Sequence, residues 1–309
     1  MVIGREVKII PVKLMVTAET PPARESRAIL YDFVRDSHIF VAFIAMMVVM
    51  LTSAAYYGKM DANLVFFGFA TPYIFYTLSD WMDLLLRPGV LGNFPRDRKT
   101  YRFVSIPLAV VFDVILLVNM AARGTPFWEI LIFHLVGGFV AWYRASFYMP
   151  RLRDPEISLY SFLSMEVVDT VVFTCFISYS AVWHYQKLVT AEPFFFSLAL
   201  IPVQFSMGIT WKIDSVPNKL NWLLKSSDFG AILQWWTLVS GLVILNSVLL
   251  GVYGYGFLLL ALLPLFNYLL LRVIWLDWRD YFQRFIIYVS YQILLCGILA
   301  YLFVRFPLN

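Results

Sequence analysis

At 309 residues, 61% hydrophobic, 18% aromatic and only 14% charged, the chain carries more apolar surface than a water-soluble fold of its length can bury. This excludes a soluble enzyme and predicts an all-α, polytopic membrane protein. The formal net charge of +4 is placed as a membrane protein places it, as shown below, and no nucleic-acid partner is expected. Cys175 and Cys296 sit inside apolar runs without disulfide or zinc spacing and read as packing residues. The histidines, His38, His134 and His184, are too scattered for a His-based metal site.

In chain order, residues 1–37 read as an extramembrane lead-in. Charges at Arg5, Glu6, Lys8 and Lys13 interrupt its apolar residues, so it lacks the form of a cleaved signal. Ile29, Leu30 and Phe33 share one helical face, which suits a short interfacial helix or a plain start to the first span. Nine apolar windows of membrane-crossing length follow: 38–57, 63–82, 103–121, 126–145, 162–184, 192–211, 229–250, 254–275 and 285–305. Residues 306–309 form a short tail.

The linkers alternate between short ones and long, charged ones. Of the 24 lysines and arginines, all but Lys59, Arg123, Lys187 and Arg305 fall in the N-terminal lead-in or on the side of the long linkers. That asymmetry predicts a multi-pass cell-membrane protein with the N-terminus and long loops in the cytoplasm and the C-terminus outside.

Polar residues that interrupt this pattern are the candidate site. Asp80 and Asp83 end the second window three residues apart, so one helical face can present both carboxylates. The stretch after them, "RPGVLGNFPRDRKTYR", supplies Arg87, Asn93, Arg96, Arg98, Lys99 and Arg102. Two carboxylates beside such cations suit Mg²⁺ and a diphosphate. The plainer alternative is a pair of interfacial caps followed by an ordinary positive-inside loop. After the sixth window come Lys212, Asp214, Asn218 and Lys219. Asp214 and Asn218 share a face only if Pro217 does not end the helix. Asp113 lies midway along the third window. Glu166 and Asp169 lie in the fifth, facing the bundle interior either as acceptor or proton contacts or as partners of Arg144 or Arg153. His134 reads as a hydrogen-bonded core residue, Gln204 and Asn267 as interhelical hydrogen-bonding groups, and Asp277, Arg279 and Asp280 as a solvated interfacial cluster.

The placement of these two polar loops, after the second and sixth of nine windows, resembles the UbiA superfamily of intramembrane prenyltransferases. Its first motif, Asn-Asp-x-x-Asp-x-x-x-Asp, is matched here at Asp80 and Asp83, with Ser79 in place of the asparagine and Arg87 in place of the third aspartate. "NFPRDR", Asn93 to Arg98, looks like the family's Asn-x-Pro-x-Arg stretch, displaced by several residues. Of the second motif Lys212, Asp214 and Asn218 fit, and its second acid is missing. The resemblance implies one nine-helix bundle over residues 38–305 with a central lipid-accessible cavity. It implies Mg²⁺ held by Asp80, Asp83 and Asp214, and an isoprenyl diphosphate bound by Arg87, Asn93, Arg96, Arg98, Lys212, Asn218 and Lys219. A lipophilic acceptor, near Asp113, Glu166 and Asp169, would attack the allylic carbocation. Arg87 either contacts the diphosphate or neutralises Asp83 and leaves the site metal-free. A non-catalytic lipid-binding subunit on the same scaffold is the second reading, and a transporter using Asp113, Glu166 and Asp169 as an ion relay the third.

Overall fold

The computed structural model describes residues 38–87, 96–186, 192–212, 216, 218–276 and 281–305. Among them there is no strand, and helix lies across all nine apolar windows. Helix α1 (Ile39–Tyr57) ends where Gly58 turns into the left-handed region, φ 61°, and returns its N–H to the Ala54 carbonyl. Asp61 then caps α2 (Ala62–Leu86), accepting from the Asn63 and Leu64 amides at 2.8 and 3.2 Å. Helix α3 (Arg96–Ala122) leads through a turn to α4 (Phe127–Tyr143), which continues as a π-helical turn (Arg144–Tyr148) and a final α-turn (Met149–Leu152). There follow α5 (Leu159–Gln186), α6 (Glu192–Lys212), the short α7 (Asn218–Leu224) and α8 (Ser227–Leu249), the last capped by the Ser226 hydroxyl. A 3₁₀ segment (Tyr255–Ala261) opens α9 (Leu262–Leu276), and α10 (Tyr281–Arg305) completes the described chain.

Four stretches are long and apolar enough to cross a membrane: Val104–Ala122, Phe127–Leu152, Ser227–Leu249 and Tyr255–Val273. Only 22% of the Val104–Ala122 window is buried. Val110, Val114, Val118, Leu131, Leu135 and Phe139 point outwards instead. A bilayer accommodates that surface and water does not. Helix α1 packs between α2 and α10, α10 contacts α9, and α9, α8, α6 and α5 follow as successive neighbours back to α1 and α2. Helices α3 and α4 lie outside this ring, against α2.

Two close contacts set the packing on α2. Gly68 faces Val49 and the Ala45 carbonyl of α1, and Gly137 of α4 faces the ring of Phe75. Phe67, Phe75 and Phe133 then form an aromatic wedge between α2 and α4, with ring centroids 5.4–5.5 Å apart. Cys296 is buried in the apolar core shared by α1, α6, α8, α9 and α10, in keeping with a packing role. The lead-in, Asn93, Asp214 and the Asp277–Asp280 cluster fall outside the described residues.

Candidate functional site

The polar residues gather at one end of the ring in two layers, both organised by an irregularity in the α4 segment. In the π turn the Met149 amide bonds back five residues, to the Arg144 carbonyl. The next residue, Pro150, has no N–H to give, so the Ala145 carbonyl is left without a helical donor. Arg87 fills that vacancy: its Nη2 donates to the Ala145 carbonyl at 2.9 Å, while its Nη1 donates to Asp83 Oδ1 at 2.6 Å. Arg153 donates from Nη2 to the other oxygen, Asp83 Oδ2, at 2.7 Å. Asp83 is 1% exposed and carries a guanidinium on each oxygen.

Asp80, one turn earlier, faces elsewhere. Its Oδ2 lies 3.0 Å from His38 Nε2. His38 precedes α1 with φ 57°, the one non-glycine residue at positive φ among those described, and its ring tilts against Tyr76. The expectation that Asp80 and Asp83 present their carboxylates to one spot thus meets a different arrangement. One is engaged by α1's leading histidine and the other by two arginines.

The inner layer is a buried charge network. Arg144 pairs with Asp169, and the Tyr148 hydroxyl donates to Glu166. Lys212 reaches Glu166 Oε2 at 2.7 Å and Asp169 Oδ2 at 3.3 Å. The Arg144 guanidinium lies 3.8 Å from the Tyr76 ring centroid and 4.7 Å from that of Tyr148, with Lys212 also over Tyr148 at 4.7 Å. Two cations and two carboxylates leave no net charge, which is what makes their burial tolerable. Of the expected pairings, Asp169 takes Arg144, but Glu166 takes Lys212 rather than an arginine. The ring faces of Tyr76 and Tyr148 that could shield a carbocation already hold cations.

Tyr76, Asp169 and Lys212 of this network line a cleft, together with Val41 and Ile44 of α1, Thr170 and Phe173 of α5, and Gln204, Met207 and Gly208 of α6. A second cleft, between α1, α6, α9 and α10, shares Ile44, Gln204 and Met207 with it and is also lined by Leu51, Leu200 and Cys296. From Lys212 to Leu200 is about 18 Å along α6 at 1.5 Å per residue. The charged lining residues, Asp169 and Lys212, belong to the first cleft, and the second is lined by apolar residues apart from Gln204.

Asp113 lies away from this site. His134 Nδ1 is 2.7 Å from the Ile130 carbonyl and His134 Nε2 is 3.1 Å from Asp113 Oδ1. A carbonyl only accepts, so Nδ1 carries a proton, and the Nε2–Oδ1 contact then holds one more. His134 is hydrogen-bonded as expected, but it is not a core residue: both side chains are about 30% exposed on the outward side of α3 and α4. Replacing Asp113 by asparagine is expected to cost about 0.5–1 kcal/mol, the usual worth of an interhelical polar contact in a membrane protein. Reversible unfolding in mixed micelles would measure it.

Lys219 is exposed at α7, and the side chains of Arg96, Arg98 and Asn218 fall outside the described set. Among the described residues no three His, Cys, Asp or Glu side chains form a group that could hold a metal. The donor set at Asp83 does not fit Mg²⁺ as arranged, because two guanidiniums stand where the ion would approach. Sequence reasoning did not single out His38, Tyr76 or Tyr148. One signal was available: Pro150 near the end of an apolar run marks a helix that must leave a carbonyl free. No family model, no curated protein and no solved structure matches the chain.

Proposed function

We propose that the protein is an intramembrane prenyltransferase-like protein. It would bind an isoprenyl diphosphate with the head group beside Asp83, Arg87 and Arg153 and the chain in the apolar cleft. The observation that carries this reading is a largely apolar cleft with Asp169 and Lys212 in its lining, at the end of the bundle where Asp83, Arg87 and Arg153 cluster. Transfer would break the allylic C–O bond, with the electron pair leaving on the diphosphate. A lipophilic acceptor would bond to that carbon and give up its proton to a base. The Mg²⁺ that the resemblance implies finds no ready donor set among the described residues, so the binding step is proposed without it.

We also propose nine crossings, with the N-terminus and long loops cytoplasmic. Two contacts support that alternation. Arg123–Asp61 joins two linkers expected on one side, at 3.2 Å, and Arg153–Asp83 joins elements expected on the other, at 2.7 Å. The second reading, a non-catalytic lipid-binding subunit, is favoured by the full neutralisation of Asp83.

Geranylgeranyl diphosphate should bind saturably to the purified protein in nanodiscs. Gly208→Leu, which pushes a side chain into the cleft, should weaken binding at least about tenfold, the scale of excluding a few methylenes. Gly208→Ala should not, since its Cβ meets only Glu166 Oε2 at 3.6 Å. Equal binding by all three proteins would remove the cleft from the reading. A prenylated product made by the purified protein alone would decide for transfer over the non-catalytic alternative.

A further inference from the structure

We infer that Arg87 and Arg153 form a metal-independent clamp for the diphosphate head of a lipid, with Asp83 as the internal counter-ion that holds the two guanidiniums in place. This rests on the diphosphate-binding reading above and adds how the head group is recognised.

The geometry separates a hidden acid from two accessible bases. The Asp83 side chain is 1% exposed, while those of Arg87 and Arg153 are 30% and 35% exposed. A ligand arriving at this rim meets the guanidiniums first and the carboxylate behind them. The triad carries one net positive charge, so it attracts an anion and repels a cation. A divalent metal would have to compete with a guanidinium at whichever oxygen of Asp83 it approached.

Each guanidinium has five N–H donors in a planar fork that matches phosphate oxygens. Arg87 is anchored at two of its nitrogens, to Asp83 and to the Ala145 carbonyl. It is therefore held in place before a ligand binds, and this anchoring depends on the π turn and Pro150. The arginine that stands where the resembling family has a third aspartate thus exchanges a metal ligand for a fixed cation. The charge that Mg²⁺ would supply to the diphosphate comes from the side chains themselves.

The test titrates the full-length protein in nanodiscs of zwitterionic lipid with geranylgeranyl diphosphate and, separately, with inorganic pyrophosphate. Each titration is run in Mg²⁺ and in EDTA. Binding of the lipid should persist in EDTA, and pyrophosphate should compete more weakly. Asp83→Asn removes the competing charge and keeps the shape, so it should bind roughly tenfold tighter, the worth of one charge-assisted hydrogen bond. Arg153→Gln should bind roughly tenfold weaker by the same measure.

Binding that requires Mg²⁺ and disappears in Asp83→Asn would make Asp83 a metal ligand; that overturns the clamp and leaves the diphosphate reading standing. Binding in EDTA that neither variant alters would move the head group elsewhere and also overturn the clamp. Pyrophosphate binding as tight as the lipid's would overturn the lipid part of the assignment. No binding in either metal condition, by protein with an unchanged melting temperature, would overturn the clamp and the diphosphate reading together.

Discussion

Replacing Lys212 by methionine is expected to destabilise the fold by about 3–5 kcal/mol, the cost of stranding a buried charge. Glu166 is 0% exposed, and its partners are the Lys212 ammonium and the Tyr148 hydroxyl. Without Lys212 the network carries a net negative charge, and a hydroxyl alone faces the carboxylate. Losing Arg144 would be milder for its own partner, because Asp169 would keep Lys212 at 3.3 Å. The double variant Lys212→Met with Glu166→Gln should recover most of the loss, since it removes one charge of each sign and leaves Arg144 with Asp169. The measurement is the unfolding free energy of wild type, both single variants and the double in the same detergent. Single-variant losses that simply add in the double would mean the two side chains do not interact.

That network also shows what the sequence could and could not convey. The fold class was legible because apolar windows of membrane-crossing length are a one-dimensional signal. Helix lies across each expected window, and end residues such as Gly58, Asp61 and Ser226 stop or start helices as their chemistry predicts. The acidic members of the candidate site were also legible, because a charge inside an apolar run stands out. Their partners were not. Lys212 is separated from Glu166 by 46 positions and Arg153 from Asp83 by 70. Spacing says which residues share a helical face, but not which helix that face meets. Arg87 illustrates the limit. As a sequence feature it was a departure from a motif. In the structure it answers a carbonyl freed by a proline 63 residues later. His38 was harder still, since nothing local marks a residue that will pair with Asp80 across 42 positions.

The second large effect concerns how closely the first two helices approach. Gly68→Ala is expected to destabilise the protein by about 1–3 kcal/mol, the range for overpacking a filled interface. A Cβ at this position would lie 2.6 Å from Val49 Cγ2, 2.7 Å from Val49 Cβ and 3.2 Å from the Ala45 carbonyl oxygen. Val49 is fully buried and β-branched, and the Ala45 oxygen is backbone, so neither can yield by rotating a flexible side chain. The helices themselves must separate. That would disturb His38 and Asp80, which bridge the same two helices toward the ionic end, so the lipid binding proposed above should weaken along with stability. Gly138→Ala supplies the control. Its Cβ would meet nothing within 4 Å, and alanine favours a helix over glycine by about 0.5–1 kcal/mol. The control variant should be neutral or slightly stabilised. Melting temperatures that fall equally for both, or for neither, would show that the α1–α2 contact at Gly68 does not set the cost.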